Sequence, residues 1–437
     1  MTDYACRNEP ARALAMLRRE PRLGRAGFYA ACAVGEAGFV AEELRRQPLL
    51  AVTVGGPRQW PPLLYACFSD IFRTDRTRQV DFMRVVRELL RHGADPNAGH
   101  TFQPGQPDEY RLSALYGAAG AANHAGVTKL LLAAGANPDD GESLYHSAEF
   151  KNSACTRLLL EHGAKIPGTN AVHRKLDFED RAGLQVFLDH GADPNLRSPS
   201  SGDALLHHAI EQGRGRRILE LLADRGADLR LRNRDGWTPY QQAARLGHGP
   251  ALALLRARGV AKKLTPQEEF IAAAARGDAR AVAAWQKQFP GIVREVDAAD
   301  RGLLARLAWN GKFRAVRVML AAGFDPAARG IEGATALHNA CWMGNVPLVQ
   351  LLLAARAPVN AMEPTYQARP LGWALHGSNH CLARTRKPRN QAADYPGVVA
   401  ALLAAGAERP AEVGAELPVG VRAVLLSRPR ARKRKAG

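Results

Sequence analysis

Three side chains near the C-terminal end of the sequence have types and a spacing that could hold a metal ion. His376 and His380 are four residues apart, which places both on one face of a helix, and Cys381 follows directly. Gly377 and Ser378 lie between the two histidines and are expected to end the helix, and no fourth ligand is evident. We therefore interpret the histidines as polar side chains that border an insertion, and we predict neither a metal site nor a cofactor.

Aromatic side chains recur at one position of a repeating pattern. Trp309 and Trp342 each lie two residues before a glycine, and His376 takes the same position in the next copy, one helical turn after Trp373. Neighbouring helices pack about 10 Å apart, so these side chains would form a stripe on one surface, as aromatic residues at interaction hot spots do. Packing of the rings against neighbouring helices is the alternative. The predicted partner-binding residues are Trp309, Trp342, Trp373, His376, Arg306, Asn339 and Arg245.

The helices that must position this stripe repeat along the chain. Nine leucine-rich segments each run into a short linker that has glycine, or in one copy a substitute, at its key position. The interval of 64 residues between Gly259 and Gly323 is close to two repeats, and a copy with Gln288 in the glycine place fills it. Such a period predicts a stacked solenoid, in which no repeat buries its apolar face alone. The key positions are Gly93, Gly135, Gly163, Gly191, Gly226, Gly259, Gly323, Arg356 and Gly406.

Each repeat combines the signals of two helices. In the copy at residues 237–259, Thr238 is placed as a helix N-cap and Pro239 takes the first helical position, where its missing N–H costs nothing. A short alanine-rich helix follows and Gly247 ends it. A longer helix then runs to the C-terminal glycine, which suits a left-handed cap. The sequence therefore predicts a helical hairpin in each repeat.

The short helix carries a motif that resembles the ankyrin repeat. Residues 335–340 are TALHNA and residues 204–209 are ALLHHA, close to the family signature T-P-L-H-x-A. The resemblance covers residues 27–409 and implies an all-α ankyrin-repeat solenoid of about ten to eleven helix-turn-helix repeats with short β-turn connections. It also implies that the stripe lines a concave groove, that His207 and His338 form structural hydrogen bonds between adjacent turns, and that the chain is a binding scaffold.

The repeats divide into two arrays. Residues 1–26 are expected to cap the N-terminal end, 27–262 to form the first array, 263–410 the second, and 411–437 a basic, disordered tail. The segment 262–265 could act as a hinge. The end of the second array, RPLGWALHGSNH, resembles a bacterial ankyrin arrangement. Insertions are expected to protrude from one edge of the stack, and they lie at 69–83, 100–111 and 381–393.

The charge is strongly basic and uneven. The chain has 60 Lys and Arg against 42 Asp and Glu, which gives a net charge of +18. A basic loop and the tail could contact phosphates or an acidic partner through counterion release, and a tail that only aids solubility is the alternative. The candidate residues are Arg384, Arg386, Lys387, Arg389, Arg428, Arg430, Arg432, Lys433, Arg434 and Lys435.

The sequence favours a binding protein over an enzyme. It has no P-loop, no GxGxxG motif after a strand, no HExxH and no GxSxG. The cysteines are scattered without CxxC spacing, and Cys32, Cys67 and Cys341 take positions where the repeat needs a small buried residue. We predict a non-enzymatic scaffold or adaptor that binds a protein partner through the groove.

Two alternatives stay open. A nucleic-acid-associated protein would use the tail and the basic loop at 384–389, and a secreted effector would bind a host protein. No apolar N-terminal segment and no run of membrane-spanning length is visible, so we expect a monomeric cytoplasmic protein without a membrane partner. The arginine- and alanine-rich composition is typical of a GC-rich bacterial genome, and export without a Sec signal stays open.

Overall fold

The computed structural model describes residues 1–6, 9–102, 105–106, 109–330, 333–384 and 393–427, with their side chains except at 3–4, 298–299 and 380–384. The described chain is mostly helical and includes a two-stranded sheet. It divides into two compact units, unit 1 (Met1–Leu205) and unit 2 (Leu206–Gly437). This division lies N-terminal to the expected array boundary at 262–263, which stays a prediction.

The described part of unit 1 has an N-terminal helical segment followed by five helical hairpins. Its helices are α1 (Thr2–Ala5), α2 (Pro10–Arg19), α3 (Phe28–Val34), α4 (Ala37–Arg46), α5 (Pro62–Cys67), α6 (Ile71–Thr74), α7 (Gln79–Arg91), α8 (Ala125–Ala133), α9 (Ser143–Ser147), α10 (Ala154–Glu161), α11 (Ala171–Asp177) and α12 (Arg181–Asp189). Short 3-10 helices lie at Pro21–Arg25, Pro48–Ala51 and Arg76–Arg78, and a π-helix lies at Tyr116–Ala121. The hairpins are α3–α4, α5–α7, the π-helix with α8, α9–α10 and α11–α12.

The described part of unit 2 has six hairpins and a closing helix. Its helices are α13 (Leu205–Glu211, which starts at the division), α14 (Arg216–Asp224), α15 (Pro239–Arg245), α16 (Gly249–Ala257), α17 (Pro266–Arg276), α18 (Ala279–Gln288), α19 (Ala298–Arg301), α20 (Leu303–Trp309), α21 (Phe313–Ala322), α22 (Ala336–Trp342), α23 (Val346–Ala354), α24 (Pro370–Arg384), α25 (Tyr395–Ala404) and α26 (Val419–Leu426). Apart from α19 and α26, consecutive helices pair into hairpins. First helices pack on first helices, as α20 does on α22 and α22 on α24. The all-α solenoid with about ten to eleven repeats is confirmed.

The expected helix signals appear in the backbone. Thr238 and Gln241 form a capping box, in which Gln241 N–H donates to Thr238 Oγ1 and Thr238 N–H donates to Gln241 Oε1. All nine key positions have a left-handed backbone, with φ from +63° at Arg356 to +99° at Gly323. The glycine-containing linker that ends each of these nine segments therefore has the same left-handed backbone conformation in every copy.

Two repeats end without that conformation. Gln47 takes the glycine place after α4 with φ of −139°, and Phe289 follows Gln288 after α18 with φ of −133°. Both angles belong to the extended region that any residue can adopt. These two repeats therefore end without the left-handed residue that closes the other nine.

The described insertions are folded segments. Residues Gly99–Phe102 and Tyr110–Ser113 form the antiparallel strands β1 and β2, with Gly99 opposite Ser113 and Phe102 opposite Tyr110. The earlier insertion forms α6 and the start of α7, and Ile71 and Phe72 are buried there. Of the third insertion, residues 385–392 lie outside the described residues.

The expected end of the helix at Gly377 and Ser378 is wrong, because α24 continues to Arg384. Ser378 Oγ donates back to the carbonyl of Leu375 at 2.7 Å, within the helix. Gly377 serves close packing instead, since a Cβ there would lie 2.7 Å from the carbonyl oxygen of Trp342. The glycine therefore lets α24 approach α22.

Candidate interaction surface

The aromatic side chains at the C-terminal end of α22 and in the N-terminal half of α24 form one cluster. Trp342 is half-buried, and its ring stacks on the His376 imidazole with centroids 5.3 Å apart and planes at 24°. It also meets the Trp373 ring edge-to-face at 5.7 Å. The Tyr395 hydroxyl donates to the carbonyl of Trp342 at 2.8 Å, which ties the end of α22 to α25. His376 is exposed and Trp373 is only 9% exposed, so Trp373 supports Trp342, on which the His376 ring stacks.

A turn before α24 adds a fourth ring. The buried carboxylate of Glu363 accepts backbone N–H bonds from Thr365, Tyr366 and Ala368 at 2.7 to 3.1 Å, and a side-chain hydrogen bond from Trp373. Burial raises the pKa of Glu363, but these donors outweigh it and hold the pKa below its usual value. The turn leaves Tyr366 67% exposed, with its ring centroid 6.4 Å from that of Trp373.

We call Trp342, Trp373, His376 and Tyr366 the aromatic surface. Sequence reasoning missed Tyr366, because it lies in the connection between α23 and α24 and not at the repeat position that carries the other rings. Trp309 is half-buried at the end of α20, the helix that packs on α22. It therefore takes the same position on the neighbouring first helix, as the repeat pattern predicts.

Asn339 and Arg306 were expected to contact a partner, but both side chains are buried. Asn339 is 9% exposed and its Nδ2 donates to the carbonyl of Ala305 at 2.9 Å, from α22 to α20. Arg306 is 8% exposed, and its Nη2 lies 2.9 Å from Asp235 Oδ2. Both polar groups are used within the chain, so this part of the expected site is corrected to a packing role.

Arg245 is likewise buried in an internal ionic network. Its guanidinium contacts both carboxylate oxygens of Asp300, at 2.7 and 3.2 Å, and Oε1 of Glu268 at 3.1 Å. The ring of Trp237 contacts both Arg245 and Arg306, whose Cζ atoms are 4.5 and 5.4 Å from its centroid. The segment that leads to α20 supplies Asp300, and covers the position at which Arg245 was expected to meet a partner.

The side chains of the predicted basic residues lie outside the part of the chain that the structure describes. The side chain of Arg384 and all of Arg386, Lys387 and Arg389 lie outside the described residues. So do the six predicted tail residues, Arg428, Arg430, Arg432, Lys433, Arg434 and Lys435. The sequence places their charge in unit 2, because residues 206–437 contain 36 Lys and Arg against 18 Asp and Glu, whereas residues 1–205 contain 24 of each.

The structural histidines behave as predicted. The Nε2 atom of His207 donates to the carbonyl of Trp237 at 3.2 Å, and that of His338 donates to the carbonyl of Ala368 at 3.3 Å. His173 Nε2 donates in the same way to the carbonyl of Asp203 at 3.1 Å. The same hydrogen bond therefore occurs in a repeat whose sequence does not show the motif clearly. These histidines tie each short helix to the turn of the next repeat.

The buried thiols are poor nucleophiles. Cys32, Cys67 and Cys341 are buried, and burial raises the pKa of each thiol. Among the described side chains, no three His, Cys, Asp or Glu converge as a metal site; those of His380 and Cys381 lie outside this set. No helix within the described ranges is long and apolar enough to cross a lipid bilayer.

Comparison with known families agrees with the hairpin geometry and with the repeat pattern. The family model described as ankyrin repeats (3 copies) matches residues 173–265, and the model described as ankyrin repeats (many copies) matches residues 303–353. The chain is an ankyrin-repeat protein. Ankyrin repeats are in general protein-interaction modules without enzymatic activity.

Individual relatives of this ankyrin-repeat protein are more distant. Protein PhlB of Serratia liquefaciens is 33% identical over 103 residues, which are 24% of this chain and 44% of the relative. The chain therefore spans less than half the length of that protein. The ankyrin repeat domain of Bcl-3, described as a unique member of the IkappaB protein family, is 21% identical with a TM-score of 0.25. The match covers 55% of this chain and 94% of that one.

Proposed function

We propose that this ankyrin-repeat protein is a non-enzymatic scaffold that binds a protein partner through the aromatic surface of unit 2. The observation that carries the proposal is that Trp342 and Tyr366 contact the nearly buried Trp373, while His376 stacks on Trp342. Rings that are partly exposed yet held in place by a buried neighbour lose little conformational entropy on binding. Trp309 would extend the contact along the first helices.

Tyr366 and His376 give the proposal its best test, because both are exposed. The variant Tyr366→Ala/His376→Ala removes two contact side chains and leaves Trp342 and Trp373 to hold the fold. Phe289→Ala/His162→Ala is the matched control, since it removes one exposed aromatic ring and one exposed histidine that directly follow the second helices α18 and α10.

The experiment is affinity capture from lysate of the source organism, with nuclease treatment in parallel. Captured proteins are identified by mass spectrometry, and the purified partner is then titrated against each variant. We expect a protein that resists nuclease and that binds the double variant at least about tenfold more weakly than wild type, while the control binds normally. Equal binding by both variants would remove the aromatic surface from the mechanism.

A second candidate function is association with nucleic acid, and the distribution of charge favours it. The whole net charge of +18 belongs to residues 206–437, because residues 1–205 are neutral. Excess Lys and Arg bind a phosphate backbone by releasing counterions, without reading its sequence. This function predicts capture of nucleic acid that is lost when nuclease is added or when residues 427–437 are removed.

A further inference from the structure

We propose that unit 1 carries a second binding surface, whose occupant is a lysine- or arginine-containing segment of a partner protein. This surface shares no residue with the aromatic surface, so either proposal can fail while the other stands. Five rings in contact form it: Trp60, Phe68, Tyr116, His146 and Tyr145, here named the aromatic ladder.

The ladder runs across successive first helices. Ring centroids are 5.5 Å apart for Trp60 and Phe68, 5.6 Å for Phe68 and Tyr116, and 4.9 Å for Tyr116 and His146. Tyr145 continues it at 4.9 Å from His146. Trp60 is 2% exposed and forms its base, whereas the other four rings are partly exposed. Unit 1 therefore presents a continuous strip of aromatic area.

The backbone is adapted to hold the centre of the ladder. Tyr116 opens the π-helix of unit 1, a rare form that is frequent at functional sites. Gly120, in the same π-helix, lies against the ladder, since a Cβ there would be 2.6 Å from the Tyr116 ring and 2.8 Å from Cβ of His146. A side chain at this position would push the two rings apart.

Carboxylates line one end of the ladder. Glu142 Oε2 lies 3.1 Å from Nε2 of His146, and Glu149 contacts both His146 and Arg174. Asp177 also contacts Arg174, at 3.3 Å. Three carboxylates and one guanidinium leave this cluster with a net charge of −2 when the histidine is neutral. It is a local acidic site in a strongly basic protein, and this charge selects a cationic occupant.

The chain itself shows that such rings accept guanidinium groups. Arg174 Cζ lies 5.6 Å from the Tyr145 ring centroid, and Arg58 Cζ lies 4.6 Å from that of Trp60. These arginines cover the two ends of the ladder, and Phe68 and Tyr116 lie between them. A partner's Lys or Arg over Tyr116 would gain both a cation–π contact and attraction to Glu142. A phosphate backbone would instead be repelled by the carboxylates.

The test is selection of random dodecapeptides displayed on phage, with the full-length chain as bait. Glu142→Arg reverses the charge beside the ladder at a side chain that is 44% exposed, so it leaves the fold intact. Glu161→Arg is the matched control, because Glu161 is exposed on α10, the second helix of the same hairpin. Selected peptides are resynthesised and titrated against wild type and both variants.

We expect a class of peptides enriched in Lys and Arg that binds Glu142→Arg about tenfold or more weakly than wild type and binds Glu161→Arg normally. The proposal is overturned if no selected peptide depends on Glu142. It is equally overturned if the peptides that depend on Glu142 are acidic or uncharged, because the occupant would then have a different chemistry. Circular dichroism and thermal unfolding of both variants confirm that the fold is unchanged.

Discussion

At the scale of single residues, the stop position of each repeat shows how a backbone angle governs a sequence pattern. Eight of the nine key positions are glycine, and Arg356 is the exception with φ of +63°. A left-handed backbone costs an ordinary L-residue about 1–2 kcal/mol. Arg356 is exposed, so this cost is not offset by burial of its side chain. The residue is therefore a strained copy of the signal that the other repeats use.

Replacing Arg356 by glycine should stabilise unit 2. The relief of backbone strain exceeds the extra entropy that glycine brings to the unfolded chain, so we expect a gain of about 0.5–1 kcal/mol in the free energy of unfolding. Urea unfolding followed by circular dichroism measures it. Gly93→Ala is the reverse control, because no atom lies within 4 Å of its added Cβ and only φ of +90° opposes it. It should lose about 1 kcal/mol, and a loss in Arg356→Gly would contradict the account.

Glu149 gives a pH dependence at the same scale. Burial raises its pKa, but hydrogen bonds from His146 and Arg174 outweigh burial and bring the pKa to about 2 from 4.5. A carboxyl group with a depressed pKa stabilises the fold above its unfolded value, and this stabilisation disappears as pH falls from about 4.5 to about 2.

The stability of wild type should therefore fall more steeply than that of Glu149→Gln across this range. Subtracting the two urea-unfolding profiles isolates the contribution of Glu149 from that of all the groups that the two proteins share. Parallel profiles would show that Glu149 is not held in its charged form by His146 and Arg174.

At the scale of elements, the connection between α18 and α20 is fixed by charge. Asp300, 1% exposed in α19, holds this connection onto Arg245 at the end of α15. Burial raises the pKa of Asp300 more than Arg245 lowers it, so the carboxylate is kept in place at some electrostatic cost. Glu268 on α17 completes the network. Removing one member therefore leaves a buried charge with an incomplete partner.

Asp300→Asn should lower the free energy of unfolding by about 3 kcal/mol, the typical cost of breaking a buried ion pair. The same variant should speed amide hydrogen exchange in the connection at 291–301. Asp297→Asn is the control, because Asp297 is exposed in the same connection and caps α19 without a side-chain hydrogen bond. Its effect should stay within about 0.5 kcal/mol. Similar exchange rates in the two variants would show that Asp300 does not hold the connection.

This connection also shows where sequence reasoning ends. Helix signals are local, so Thr238, Pro239 and the nine stop positions could be predicted from their neighbours in the chain. The Arg245–Asp300 pair spans 55 residues, and nothing near Arg245 in the sequence announces it. The pattern therefore gave the correct first helices but not the exposure of Arg245, Arg306 and Asn339. The aromatic ladder was also missed, because its rings come from repeats with different local sequences.

At the scale of the whole molecule, the two units differ more in net charge than in fold. Both consist of helical hairpins, yet unit 1 is neutral and unit 2 carries the entire net charge of +18. Six of the positive charges lie at residues 428–435, in the tail. A polyanion should therefore bind unit 2, and this binding should weaken strongly as salt is added.

Replacing the six basic tail residues by glutamine tests this without shortening the chain. For an oligothymidylate of about 20 nucleotides, each phosphate contact contributes about −0.7 to the slope of log K against log salt. If all six residues contact phosphate, the slope should become less steep by about 4 units between about 50 and 200 mM salt. Arg216→Gln/Arg256→Gln, on the second helices α14 and α16, is a control for loss of charge elsewhere in unit 2. An unchanged slope in the tail variant, measured by fluorescence anisotropy, would leave the tail without a role in binding. A change in slope of less than about 4 units would give the number of tail residues that contact phosphate, at about 0.7 units per contact.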